Sequence, residues 1–196
     1  LASYTEALKT VKGGDAADGY IFRGITKADM GDLDGALADM NEAVTVAPMG
    51  GTVNIMRGII RELRGDREGS LADFAKATEI GRNPVSRLWQ GALGANTKAL
   101  EPLADVDAWP APVARYLLGR QDIAKTLADA AKSDRQTVRD GQACEAHCYI
   151  GINAEREGKL ELAREHYKKS VATKVTAFLE YDWCRLRLRQ LRAKTE

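Results

Sequence analysis

"YIFRGITKADMGDLDGALADMNEAVTVAP", residues Tyr20 to Pro48, has apolar residues at helical spacing and yet holds Gly24, Gly31 and Gly35. A glycine inside a helix costs on the order of 1 kcal/mol relative to alanine, so several of them in one stretch call for a reason in packing or in turns. The next stretch supplies it. In "MRGIIRELRGDREGSLADFAKATEI", Met56 to Ile80, Arg57, Gly58, Gly65, Asp66, Gly69, Leu71, Asp73 and Ala77 repeat Arg23, Gly24, Gly31, Asp32, Gly35, Leu37, Asp39 and Ala43, every pair at the same offset. Eight matches at one offset without an insertion mark a repeat architecture.

Each unit reads as two helices. Apolar residues recur at helical spacing before the Gly-Asp pair, as in Ile55, Ile59, Ile60 and Leu63, and again after it, as in Leu71, Phe74 and Ala77. Gly31-Asp32 and Gly65-Asp66 supply a left-handed helix stop followed by a residue suited to start the next helix, and Pro48 closes the first unit. Gly24 and Gly58 fall inside the first helix of each unit. There a missing side chain lets the partner helix approach closely, beside Ala36, Ala43 and Ala77.

A helix-turn-helix unit of about 34 residues, with small residues at the interhelix positions and a closing proline, resembles the tetratricopeptide repeat (TPR). Tyr20, Gly24, Ala36, Ala43 and Pro48 match that pattern in the first unit, and Gly58, Phe74 and Ala77 in the second. Ser70 stands where the family usually has alanine and Arg82 where it has proline. A third unit is "CEAHCYIGINAEREGKLELAREHYKKSV", Cys144 to Val171, with Gly151, Gly158, Ala163 and Tyr167 in matching places and Ser170 replacing the last alanine. The resemblance implies an all-α fold, a right-handed TPR-like helical solenoid of about eleven helices with an irregular middle. The expected divisions of this single domain are a partial repeat at 1–13, repeats at 17–48 and 51–82, irregular helices at 83–135, a repeat at 138–173 and a capping helix at 176–193.

Composition agrees with a globular repeat stack. The 196 residues are 44% hydrophobic and 29% charged, and 29 basic against 28 acidic side chains leave a net charge of +1, with no general attraction for nucleic acid or anionic lipid. No apolar run approaches the roughly 20 residues needed to span a bilayer. "SYTEALKTV" after Leu1 reads as the second helix of an earlier repeat, so the expectation is a start part-way through a unit, with any signal peptide or membrane anchor upstream. Cys144, Cys148 and Cys184 are odd in number and match neither a disulfide framework nor zinc-pair spacing.

The interval from Gly58 to Gly151 is not a whole number of repeat periods, falling between two and three, so the register breaks in the middle. Pro84, Pro102, Pro110 and Pro112 punctuate that segment, and four short helices are predicted near 84–95, 97–106, 110–118 and 120–133, with Trp89 and Trp109 packed at their junctions. From "WPAPVARYLLGRQDIAKTLADAAKSD" through the third unit to "TAFLEYDWCRLRLRQL", the order of features is similar to the C-terminal half of the bacterial NlpI-type TPR lipoproteins. The features are a Trp-Pro, a short leucine-glycine helix, a small-residue-rich helix, a Tyr-x-Gly repeat and a final helix opened by Phe178, Glu180 and Tyr181. That resemblance implies an envelope adaptor that brings proteases and cell-wall hydrolases together and forms homodimers. A cytoplasmic peptide-binding TPR adaptor is the alternative, and a Cys/His enzyme or metal protein a remote one.

Chemistry-bearing groups are sparse. His147 and His166 are the only histidines, and His147 points to a different helix face from Cys144 and Cys148. Packed cysteines and surface histidines are therefore expected, with no catalytic residue, no metal and no cofactor. The glycine pairs at 13–14 and 50–51 follow no strand and lack a Gly-Lys-Ser/Thr ending, which argues against a nucleotide loop. Asp29, Asp32, Asp34 and Asp39 straddle helix, turn and helix rather than a calcium loop. The last helix is basic through Arg185, Arg187, Arg189, Arg192 and Lys194, which suits a helix C-terminus whose arginine stems cover the preceding repeat.

The expected partners are therefore other proteins or peptides, with no nucleic acid, and with a membrane only through an upstream anchor. In a TPR stack the first helix of each unit lines the concave side, which selects Asp18, Ile21, Ile25, Ala28 and Asp29 from the first unit and Thr52, Ile55, Ile59 and Glu62 from the second. Heat-shock-protein-binding TPR adaptors clamp a carboxylate with lysine and asparagine at such positions. The isoleucines here predict instead a groove for a segment with apolar anchors and a basic residue beside Asp29 and Glu62.

Overall fold

The computed structural model describes residues 1–81 and 83–193, so the expectations for Arg82 and Lys194 lie outside the described residues. Helices joined by turns make up those residues, with no strand among them. The helices are α1 (Ala2–Ala7), α2 (Gly14–Asp29), α3 (Leu33–Val46), α4 (Gly51–Arg64), α5 (Arg67–Ile80), α6 (Pro84–Ala92), α7 (Glu101–Ala104), α8 (Ala111–Leu117), α9 (Ile123–Ala130), α10 (Gln136–Arg156), α11 (Leu160–Ala172) and α12 (Leu179–Ala193), with a 3-10 turn at Thr97–Leu100. Among the described residues twelve α-helices stand where about eleven were expected. The chain forms two compact units, Leu1–Ser86 and Arg87–Glu196.

The first unit repeats itself in its contacts as well as in its letters. Gly31 and Gly65 both adopt φ +86°, a left-handed conformation that ends α2 and α4 and strains any residue with a Cβ. Asp32 and Asp66 then accept from the amide N–H of Gly35 and Gly69 at 2.8 and 2.9 Å, which satisfies one exposed donor at the start of α3 and α5. A Cβ on Gly24 would lie 2.7 Å from Met40 Cε, and one on Gly58 would lie 2.9 Å from the Phe74 ring. Each glycine is the hole into which a side chain of the following helix is packed, Met40 of α3 or Phe74 of α5.

One ion pair repeats with them. Arg23 holds Asp39 through two nitrogens at 3.0 and 2.7 Å, with Lys27 at 2.9 Å, while Arg57 and Arg61 hold Asp73 at 2.6 and 2.8 Å. Both carboxylates are 2% exposed, a burial that is tolerated because cations neutralise them. Arg57 also donates to Asn41 on α3 at 3.3 Å, and Arg23 to Thr5 on α1 at 3.3 Å, so the same arginine of each repeat contacts the helix before it.

In the second unit α10 and α11 use the same device. Gly151 lies under the Tyr167 ring, where a Cβ would meet it at 2.5 Å, and Gly158 turns the chain with φ +77°. The α12 helix packs on both α10 and α11. Its Arg187 bonds bidentately to Glu155, which also accepts from Tyr167 Oη at 2.8 Å, so this arginine of the basic helix serves packing. The middle segment is helical, but its helices are shorter than predicted because α6 stops before Gly94, at φ +77°, and α9 starts only at its cap Asp122. Trp89 is fully buried, edge-on to Tyr149 and Trp183. Trp109 is only half-buried, lining a cleft while its indole N–H donates to the Glu145 carboxyl.

Candidate functional site

The residues selected from the sequence divide by burial. Asp18 and Thr52 are exposed, Ile25 and Asp29 are half-buried, and Ala28 between them is buried. Ile21 is 9% exposed, and Ile55 and Ile59 expose nothing. The isoleucine-lined groove is therefore corrected at these three positions, which belong to the core. The reason lies in α4, where Val53, Asn54, Ile55, Met56, Gly58, Ile59, Ile60 and Leu63 are buried over a broad arc of the helix, and the side left to solvent carries Arg57, Arg61 and Arg64 instead of isoleucines. Glu62 is paired with Arg67 at 2.9 Å.

Two apolar side chains that the spacing argument passed over remain accessible beside the α2 residues. Phe22 is 53% exposed and Met30 69%, and the Phe22 ring stacks on Tyr4 of α1 with centroids 6.2 Å apart. The signal was present in the sequence: α2 carries more large apolar residues than one buried stripe requires. Asp18, Phe22, Ile25 and Asp29 share one face of α2, an apolar strip with an acidic group at each end, and the exposed Met30 follows at the C-cap. The other carboxylates considered for calcium have structural roles, Asp32 as a cap, Asp34 against Arg64 and Asp39 in its ion pair.

The second unit gathers its titratable groups inside. Cys144, Cys148 and Cys184 are free and buried; burial pushes the Cys144 thiol up to about 11 and raises Cys148 as well, so neither is a thiolate at neutral pH. Cys144 Sγ lies 3.3 Å from Ser170 Oγ, and that hydroxyl donates to the Cys144 carbonyl at 2.9 Å. The histidines are not the surface groups expected. His166 is 3% exposed and His147 is half-buried, with their Nδ1 atoms 2.9 Å apart. Burial lowers both imidazoles, His147 to about 4, so the pair is neutral at pH 7.

Glu145 and Glu180 form a second inward-facing pair, Glu180 buried and Glu145 half-buried. Tyr149 donates its hydroxyl to Glu180 at 2.7 Å, and Trp109 donates its indole N–H to Glu145. Burial, then the Glu180 charge, pushes Glu145 up to about 8, so Glu145 is protonated at neutral pH, and burial raises Glu180 as well. Paired carboxyls can serve acid-base chemistry, but neither borders the cleft of about 330 Å³ beside Trp109 or that of about 580 Å³ beside Tyr116 and Asn153. Among the described residues no group of three or more His, Cys, Asp or Glu side chains is placed to hold a metal ion, and no helix is long and apolar enough to cross a membrane. No protein-family model matches the chain, and no curated protein matches it.

Proposed function

We propose that this protein is a non-enzymatic protein-protein interaction scaffold, a right-handed TPR-like solenoid whose α2 face takes a segment with apolar anchors and a basic residue. The observation that carries the reading is the recurrence, at one constant interval along the chain, of one glycine hole, one buried Arg-Asp pair and one Asp cap. Repeats built this way stack into extended surfaces suited to binding other chains. The three thiols are buried, with Cys144 and Cys148 held protonated, and the paired imidazoles contact each other rather than a thiol, which supports binding over catalysis. A place at the bacterial cell envelope rests on the resemblance of the C-terminal half to the NlpI-type lipoproteins.

The test is a double variant, Phe22→Asp with Ile25→Asp, compared with Lys76→Ala and Glu79→Ala on the exposed side of α5, the two matched in thermal stability. Capture of partners from a cell lysate is expected to fall at least about tenfold with the α2 variant and to be unchanged with the α5 variant, as for loss of an apolar anchor. Equal capture by both would remove the binding site from α2.

A further inference from the structure

The third repeat breaks the chemical rule of the first two at one position. Immediately before the side chain that packs into each glycine hole, Met40, Phe74 or Tyr167, stand Asp39, Asp73 and His166. The cations that hold the two aspartates, Arg23 and Lys27 or Arg57 and Arg61, correspond to Ile150 and Ala154 in the third repeat. An ion pair is thus replaced by imidazole alone, and its partner is a second imidazole, His147, one turn before Gly151 on α10.

We propose that His147 and His166 form a two-imidazole chelate for a divalent late transition ion such as Ni2+ or Cu2+, bound across α10 and α11 with water completing its coordination. Imidazole-metal bonds are about 2.0–2.1 Å, so two nitrogens 2.9 Å apart subtend roughly 90° at an ion lying off the line between them. That angle suits the cis positions of a tetragonal or octahedral ion, whereas tetrahedral zinc would need the nitrogens about 3.3 Å apart. In the metal-free pair one Nδ1–H donates to the other Nδ1. Binding requires the donor ring to carry its proton on Nε2 instead, a tautomer change that leaves both rings neutral. The groups that face the pair are Glu165, which favours a cation, and Lys169, which opposes one and is itself bonded to Glu165 at 2.6 Å. Because burial keeps both rings deprotonated, protons do not compete for the site at neutral pH.

The experiment is calorimetric titration of the full chain with Ni2+ at pH 7, set beside His147→Gln, whose half-buried position allows the fold to be kept and checked by its melting temperature without metal. One ion per chain is expected, with binding weakened roughly a hundredfold in the variant, the lower end of what a second tethered ligand adds. Cu2+ bound to the parent is expected to show paramagnetic resonance splitting from two imidazole nitrogens. No Ni2+ binding by the parent, equal affinity in the folded variant, or splitting from a single nitrogen would each overturn the chelate.

Discussion

The α4–α5 repeat and the α10–α11 repeat share a backbone plan and differ in the chemistry at its centre. In both, an aromatic side chain of the second helix fills the space above a glycine of the first, Phe74 over Gly58 and Tyr167 over Gly151. The buried polar position beside that contact holds a carboxylate clasped by two arginines in the first case and a neutral imidazole pair in the second. Steric fit at the glycine therefore fixes how the helices meet, and the adjoining polar site is free to vary as long as its own groups are satisfied. A buried carboxylate needs cations, whereas two neutral rings satisfy each other.

The largest effect should be common to both repeats. Gly58→Leu and Gly151→Leu must displace an aromatic ring packed at 2.9 and 2.5 Å from the new Cβ, and each is expected to cost about 3 kcal/mol or more in chemical denaturation. If either variant matched the parent, the glycine would not be what sets the helix approach, and the shared plan would be lost.

A second effect belongs to the second unit alone. Glu145 keeps its proton to about pH 8 when folded but loses it near 4.5 when unfolded, so between those values the folded state binds more protons and stability falls as pH rises. His147 acts in the opposite sense, since its folded value of about 4 lies below the ordinary 6.5, and stability falls as pH drops through that interval. Unfolding free energies at pH 7 and pH 8.5 should therefore show a decline of about 1–2 kcal/mol that Glu145→Gln abolishes. An identical decline in the variant would assign the proton to another group. The variant is informative because Glu145 faces Trp109 and Glu180, and glutamine retains an acceptor for the indole.

These features were legible in the sequence to different degrees, and for different reasons. Asp32, Asp66, Gly31 and Gly65 were readable because caps and left-handed stops act within a few residues of sequence. The glycine contacts were readable because the repeat showed that the glycine was kept at a helix-interior position. His147 with His166 and Glu145 with Glu180 join residues on different helices, and no periodicity of the chain announces such meetings.

The smallest effect sets the repeats against each other with opposite sign. Ser70 and Ser170 are both fully buried, but the Ser70 hydroxyl has no hydrogen-bond partner among the described residues, whereas Ser170 donates to the Cys144 carbonyl. Ser70→Ala should be neutral or stabilising by up to about 1 kcal/mol, and Ser170→Ala should cost about 1 kcal/mol, by thermal melts of each variant. Equal losses would mean that the Ser70 hydroxyl is satisfied as well.

What the sequence by itself determined is local or periodic: two-helix units, their stops and caps, the small residues at interhelix contacts, and the helical character of the proline-rich middle. Helical spacing predicted a face of isoleucines, but only the tertiary structure decided that Ile21, Ile55 and Ile59 belong to the core and that Phe22 and Met30 are exposed apolar groups. The physical reason is that periodicity records which side of a helix is apolar, while burial depends on how many neighbours surround it. The α4 helix is enclosed over a broad arc that takes in all its isoleucines, so they became core, and α2 is enclosed over less, so Phe22 remains exposed.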